Sequence, residues 1–186
     1  MRCTRSRGPR GFFCLQVDRR GPVIVDVIGH IRNRKLMIRP LVYSLSKKYA
    51  PPGIDLRSAE IMDSYGDESN ATRPIDHRAP EDVSREDLDF YGWVYAFMEF
   101  NDLLFYLYPI ALEFERDKKL GCIDAFMYSL DRFSGESSTL SAEDKAGLAD
   151  GLRWIWNAAP RGYADWVQCP NLQALIGVSA TWDDDK

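Results

Sequence analysis

Residues 82–115 have the sequence DVSREDLDFYGWVYAFMEFNDLLFYLYPIALEFE, and this stretch decides the fold. Ser84 followed three residues later by Asp87 is typical of a capping box at the start of a helix. Apolar residues then recur at helical spacing: Leu88, Tyr91, Val94, Tyr95 and Met98. The pattern predicts a helix from Ser84 to Phe100.

A second helix is expected to follow almost without a gap. Asn101 can cap it, and Asp102 suits the positive electrostatic potential of its first turn. Pro109 lies inside this helix and should kink it, because the proline ring removes a backbone donor and crowds the preceding turn. The predicted buried stripe comprises Leu103, Leu107, Ile110, Ala111 and Phe114.

Two more helices are predicted further along the chain. Gly121 should end the second helix, and a third then places Ile123, Phe126, Met127, Leu130 and Phe133 on one face. Ser141 with Asp144 opens a fourth, and two short helices follow Pro160. Helices joined by short connections must bury their apolar stripes against one another. The sequence therefore predicts a mainly α fold, an antiparallel bundle or orthogonal array of four to six helices.

The segment before this helical part has a different character. Leu36 to Tyr49 suits a short helix that Pro51-Pro52-Gly53 ends, Leu56 to Met62 suits another, and Pro22 to Ile31 reads as a short β-strand. The predicted organisation is a basic extension (1–36), a short helix with a polar linker (37–82), a helical core domain (83–180) and an acidic tail (181–186). We hypothesise that the native chain begins at Met37.

Charge separates the same two parts of the chain. The 24 Lys and Arg residues face 28 Asp and Glu residues overall. Residues 1–36 hold nine basic and two acidic residues, a net charge of +7, which leaves −11 for residues 37–186. Such an acidic domain disfavours nucleic acid as a partner. No apolar run reaches the roughly 18 residues of a membrane span, so we expect no membrane partner. The scattered cysteines are expected to be reduced thiols, which favours a cytoplasmic location.

Catalytic and metal-binding patterns are weak. The four cysteines form no C-x-x-C pair and have no histidine at ligand spacing, so we predict neither a metal nor a cofactor. Cys122, in an apolar helical run, is expected to be a buried thiol. There are two histidines, His30 and His77. The enzymatic alternative is a small hydrolase-like protein in which His77 acts as a base oriented by Asp76.

Aromatic and acidic residues favour a binding function instead. Trp154 and Trp156 are two residues apart on one predicted helix, so at least one of them should lie near the surface. Interface hot spots are rich in Trp and Tyr, and acidic charge speeds encounter with a basic partner. The candidate binding residues are Trp93, Tyr106, Trp154, Trp156, Asp150, Glu113 and Asp117. A third alternative is a small-ligand-binding regulatory domain with an apolar pocket lined by Trp93, Tyr95 and Tyr106.

The same stretch resembles a family of small, uncharacterised bacterial helical proteins. In that family a helix ends in an F-L-like pair, followed by a capping residue, an acidic residue and an F-x-Y-Y-L-P-A-like segment. The matching elements here are Phe97-Met98, Asn101-Asp102 and residues 105–111, FYLYPIA. The resemblance covers about residues 81–158 and implies a kinked second helix but no active-site residue. It suggests a non-enzymatic inhibitor of a basic toxin, like immunity proteins or antitoxins.

Overall fold

The computed structural model describes residues 17–18, 21–22, 40–160, 171, 172 and 174. The chain divides into two compact units, Met1–Arg34 and Lys35–Lys186. In the first unit, strand β1 (Val17–Asp18) pairs antiparallel with β2 (Gly21–Pro22). The predicted strand from Pro22 to Ile31 and the acidic tail otherwise lie outside the described residues.

The second unit is mainly helical, as the sequence predicts. Its helices are α1 (40–48), α2 (Leu56–Asp63), α3 (Arg85–Phe90), α4 (Phe100–Arg116), α5 (Ile123–Arg132) and α6 (Ala142–Ala158), with 3₁₀ helices at Pro80–Asp82, Val94–Phe97 and Ser134–Thr139. Residues 171, 172 and 174 are helical, and the rest of the predicted C-terminal helices lies outside the described part. Within that part, no helix has the length and apolar character to cross a membrane.

Helix α4 lies at the centre of the core. Its buried residues include Leu103 to Leu107, Ile110, Ala111 and Phe114. The helix is continuous through Pro109, and a buried serine of α1 helps to accommodate the proline. Ser46 Oγ donates to Leu104 O (2.9 Å) and accepts from Tyr108 N (3.0 Å), the two groups that a regular helix joins directly. A side chain inserted in this way is a known cause of helix bending.

The start of α4 differs from the prediction. The N-cap is Glu99 rather than Asn101, because Asp102 turns its carboxylate back toward the chain that precedes the helix. Asp102 Oδ2 accepts from Glu99 N (3.1 Å), and Asp102 Oδ1 accepts from Gly53 N (2.7 Å) and Ile54 N (3.2 Å). Asp102 is 4% exposed. One carboxylate thus joins the helix start to the turn before α2.

Helix α6 packs closely on α1 and α4 because it carries two glycines one turn apart. A Cβ atom built on Gly147 would lie 3.2 Å from Leu41 O, and one on Gly151 would lie 2.6 Å from Leu107 Cδ2. The predicted cap is confirmed, since Ser141 Oγ accepts from Asp144 N (3.1 Å).

The predicted continuous helix from Ser84 to Phe100 is wrong. The capping box at Ser84 is confirmed, but α3 ends at Phe90 and the chain turns before the 3₁₀ helix Val94–Phe97. Aromatic and β-branched residues lose side-chain freedom in a helix, and Gly92 weakens it further. The break turns Tyr91, Val94 and Tyr95 into the core, with no exposed surface at any of the three.

The segment predicted as a short helix and linker packs on these helices. Asp55 caps α2 by accepting from Ser58 N (2.7 Å). The C-terminus of α2 closes with bonds from Tyr65 N to Met62 O (3.2 Å) and from Gly66 N to Ile61 O (2.8 Å). This Schellman arrangement needs a left-handed residue, and Tyr65 takes that place with φ 54° while its side chain is fully exposed.

Candidate functional site

Four large aromatic residues near the middle of the chain are exposed. Phe90 is 42% exposed, Trp93 61%, Phe97 37% and Tyr128 47%. We call these four residues the aromatic surface. Trp93 is the one member that the sequence singles out. The other three are not among the predicted binding residues, although each lies off the buried stripe that helical spacing predicts for its segment.

Helix α5, which carries Tyr128, packs along the segment that holds Trp93 and Phe97. At its start, a Cβ atom built on Gly92 would lie 3.7 Å from Cys122 Cβ. At its end, Arg132 Nη2 donates to Ala96 O (2.9 Å) and approaches Met98 O (3.5 Å). Helix α5 therefore runs alongside residues 92–98. Its exposed face and the exposed residues of that segment lie on neighbouring parts of the molecule.

Three members of the aromatic surface, Phe90, Trp93 and Phe97, lie in an acidic part of the chain. No Lys or Arg occurs between Arg85 and Arg116, whereas Glu86, Asp89 and Glu99 fall in this interval and are exposed. Arg85 pairs with Asp89 (2.6 Å) at one border. The negative potential of such a region attracts cationic groups.

Acidic residues also accompany the rings at helical spacing. Glu86 and Phe90 are four residues apart on α3, and both are exposed. Asp124 and Tyr128 have the same spacing on α5, and both are again exposed. Residues four apart share one face of a helix. In each pair a carboxylate and an exposed ring therefore share one face of a helix.

The other predicted binding residues are placed elsewhere. Tyr106 is fully buried, Trp154 is 8% exposed and packs with the ring of Tyr108, and Trp156 is half-buried. The predicted exposure of a tryptophan on this helix is thus limited to part of Trp156.

The predicted acidic binding residues form ion pairs within the protein. Asp150 pairs with Arg153 (3.0 Å), Glu113 pairs with Arg116, and Asp117 pairs with Arg85 (3.3 Å). Asp117 is the exposed member of the three acids. These contacts place none of the three acids at the aromatic surface. Arg85 connects Asp117 to Asp89, which lies at the border of that surface.

A buried polar network forms the second notable site. His77 Nε2 lies 3.2 Å from Asp87 Oδ2, and His77 Nδ1 lies 3.1 Å from the hydroxyl of Tyr106. Asp87 also bonds Arg73 and accepts from Ser84 Oγ (2.7 Å). The predicted partner of His77 is replaced, since Asp76 is exposed and pairs with Arg78 (2.8 Å). The orienting acid is Asp87 rather than Asp76.

Tyr106 and Asp87 hold opposite ends of this network in fixed charge states. Burial raises the pKa of Tyr106 well above its usual value, so the phenol keeps its proton. Tyr106 Oη accepts from Leu56 N (3.3 Å) and shares a further hydrogen bond with His77 Nδ1. Because a carboxylate only accepts, His77 Nε2 donates to Asp87. Burial acts to raise the pKa of Asp87, but bonds from Arg73, Ser84 and His77 outweigh it and lower that pKa.

This network joins four segments of the chain. Tyr106 on α4 bonds to the start of α2 and to His77. His77 and Arg73, which lie on one loop, bond in turn to Asp87 in the first turn of α3. The His77 side chain is 2% exposed, and both ring nitrogens are engaged. A base needs access to the proton that it removes. In this conformation His77 holds the loop in place, and it reaches no surface on which a substrate could bind.

The residues of the predicted ligand pocket are divided between core and surface. The rings of Tyr95 and Tyr106 lie 6.2 Å apart in the core, whereas Trp93 faces solvent. Cys122 is buried beside Tyr95, as the sequence predicts for this thiol. Burial raises the pKa of Cys122 to about 12, which makes it an unreactive thiol. Among the described residues, no three His, Cys, Asp or Glu side chains gather as metal ligands would.

Comparisons of the chain with protein-family models, with curated proteins and with solved structures found no match. The resemblance over residues 81–158 therefore stays a prediction.

Proposed function

We propose that the chain is a cytoplasmic protein-binding module that engages a basic protein partner through the aromatic surface. One observation carries this proposal: four exposed aromatic residues lie on neighbouring segments, and three of them lie in a stretch that holds carboxylates but no Lys or Arg. Exposed apolar patches with a polar border are typical of protein interaction sites. An inhibitor of a basic toxin is the narrower form of the same proposal.

The physical roles of the rings and the acids differ. Burial of an exposed Trp or Tyr against a partner supplies most of the affinity of a typical interface. Carboxylates at the border raise the rate of encounter with a basic protein and exclude acidic ones. Trp93 is expected to be the main anchor, because it is the largest of the four side chains and the most exposed.

The first test uses the full chain immobilised as bait in an extract of its native cells. We expect basic proteins to be retained at low salt and released as salt rises, since screening shortens the reach of charge. Retention should fall at least tenfold for Trp93→Ala, the loss typical of a hot-spot residue.

The matched control is Tyr65→Ala, which removes a fully exposed aromatic ring from the C-terminal turn of α2. This variant should retain the same proteins as the wild type. Three outcomes would contradict the proposal. They are an equal loss of retained protein in both variants, equal retention by Trp93→Ala and the wild type, and retention that does not respond to salt.

A further inference from the structure

We infer that the loop of residues 67–79 regulates the aromatic surface, because Arg73 of this loop is bonded to both ends of α3. The inference rests on the proposed function and adds a means by which binding at that surface is controlled. Phe90 is the last residue of α3, and Trp93 follows three residues later. A change in the position of α3 therefore moves two of the four exposed rings.

The first contact of Arg73 is at the start of α3. Its guanidinium bonds the carboxylate of Asp87, and its Nη2 lies 3.5 Å from Ser84 Oγ. Ser84 and Asp87 are the two residues of the capping box that begins the helix. Hydrogen bonds between two charged groups are stronger than those between neutral groups. The loop thus holds the carboxylate on which the first turn of α3 depends.

The second contact of Arg73 is at the other end of the same helix. The hydroxyl of Tyr91, the C-cap residue, donates to Arg73 O (2.6 Å). The Tyr91 ring is fully buried, and its centre lies 4.7 Å from that of the Phe90 ring. Tyr91 O also accepts from Val94 N (3.5 Å) in the turn that contains Trp93. One loop residue is therefore bonded to the residue from which the aromatic surface continues.

Helix α3 depends on contacts of this kind because it has six residues. A helix of this length is not stable in water without tertiary contacts. The loop is itself attached to two other helices, since Arg57 Nε on α2 donates to Ala71 O (3.1 Å) and His77 Nδ1 lies 3.1 Å from Tyr106 Oη on α4. Release of the loop would remove a contact from each end of α3 and loosen residues 85–98.

Loosening of these residues should weaken binding at the aromatic surface. An anchor ring that is already held in position loses less conformational freedom when a partner covers it. With the loop in place, Phe90 and Trp93 are held in this way. With the loop released, binding would also have to order the segment that carries them. The state of the loop thus sets the affinity without touching the partner.

Hydrogen–deuterium exchange of the full chain, followed by mass spectrometry, tests the link between loop and helix. In Arg73→Ala, amides of residues 85–98 should exchange about tenfold faster, the factor that corresponds to loss of one hydrogen bond of about 1.4 kcal/mol. Amides of α6 should change less, because local opening of α3 does not expose them. Tyr91→Phe removes the hydroxyl that donates to Arg73 O and should give the same local increase.

The matched control is Arg78→Ala. Arg78 is an exposed arginine of the same loop, and it pairs with the exposed Asp76 (2.8 Å). This variant should exchange like the wild type over residues 85–98. Circular dichroism of each variant checks that it is folded. Unchanged exchange of residues 85–98 in both Arg73→Ala and Tyr91→Phe, or an equal increase in α6, would overturn the inference and leave the proposed function standing.

Retention of basic proteins by immobilised Arg73→Ala connects the loop to binding. Retention should fall in this variant as it does in Trp93→Ala, and it should be unchanged in Arg78→Ala. A loss in Trp93→Ala without any loss in Arg73→Ala would overturn regulation by the loop and leave the proposed function standing. Unchanged retention in both Trp93→Ala and Arg73→Ala would overturn the proposed function and the inference together.

Discussion

Gly151 of α6 lies against Leu107 of α4 so closely that no side chain fits between them. A Cβ atom built on Gly151 would lie 2.6 Å from Leu107 Cδ2 and 2.9 Å from Leu107 Cγ. Leu107 is fully buried, so its side chain has little room to move away. The contact between the two helices therefore depends on the absence of a methyl group at position 151.

Gly151→Ala should destabilise the fold by about 1–3 kcal/mol, the usual cost of overpacking a core. The gain in helix propensity from Gly to Ala, about 1 kcal/mol, offsets part of this cost. Urea unfolding followed by circular dichroism measures the difference. The control is Gly121→Ala, where an added Cβ atom meets nothing within 4 Å. Equal stability of the two variants would show that α4 and α6 can separate slightly without cost.

Ser46→Ala should lower the free energy of unfolding by about 1–3 kcal/mol, because it leaves Leu104 O and Tyr108 N without the hydroxyl that joins them. Ser46 is fully buried, so water cannot replace that hydroxyl without entering the core. Ser44→Ala is the matched control, since Ser44 lies on the exposed face of the same helix. Thermal unfolding of both variants gives the comparison. Unchanged stability of Ser46→Ala would mean that α4 closes the bond by itself.

Asp87→Asn should make the free energy of unfolding less dependent on pH in the acidic range. Because the folded-state pKa of Asp87 lies below its ordinary value, its charged form stabilises the fold above that value. This stabilisation is lost as the pH falls through the folded-state pKa, so the wild type should weaken between about pH 5 and pH 3. Asp87→Asn should be less stable at pH 7 and should show a shallower loss over that range.

Urea midpoints at several pH values measure this slope. Asp87→Asn should keep part of the dependence of stability on pH, since the pKa of Asp144 is also lowered. Burial acts to raise the pKa of Asp144, but hydrogen bonds from Lys48 and Ser141 outweigh it. Asp76→Asn, at an exposed aspartate of the loop that carries His77, is the control and should keep the wild-type slope. An unchanged slope in Asp87→Asn would count against the role of this carboxylate.

Tyr65→Gly should stabilise the protein. Tyr65 adopts φ 54°, a left-handed conformation that crowds a Cβ atom, and its exposed ring gains no packing in return. Glycine removes this strain, so the urea midpoint should rise by about 0.5 M. Tyr65→Ala keeps the Cβ atom and should not show the increase. A rise of the same size in both variants would place the effect in the ring rather than in the backbone.

Local patterns predicted much of the fold. Apolar spacing and the capping pairs at Ser84 and Ser141 located most of the helices, because these signals arise within one turn of chain. The same reasoning failed for Ser84 to Phe100, where burial of Tyr91 and Tyr95 outweighed a regular helix. The cap of α4 also differed from the prediction, since Asp102 bonds to a turn about fifty residues earlier in the chain.

The candidate sites were less predictable for a similar reason. The pairing of His77 with Asp87 and Tyr106 depends on tertiary contacts, and the adjacent Asp76 was the more obvious partner in the sequence. Trp93, one of the predicted binding residues, has an exposed ring, and its role in binding stays a prediction. Phe90 and Phe97 were not among the predicted binding residues, although both lie off the predicted buried stripe of Leu88, Tyr91, Val94, Tyr95 and Met98.

The bond between Tyr108 N and Ser46 Oγ couples the hydrogen exchange of one helix to the docking of another. The Tyr108 amide lies in the middle of α4, where exchange would ordinarily require unfolding of that helix. Its partner is on α1, so release of α1 alone would free this proton. We expect Tyr108 to exchange at the rate of the α1 amides and faster than Ile110 or Ala111. A single amide at the centre of the core would then report when the first helix of the domain leaves it.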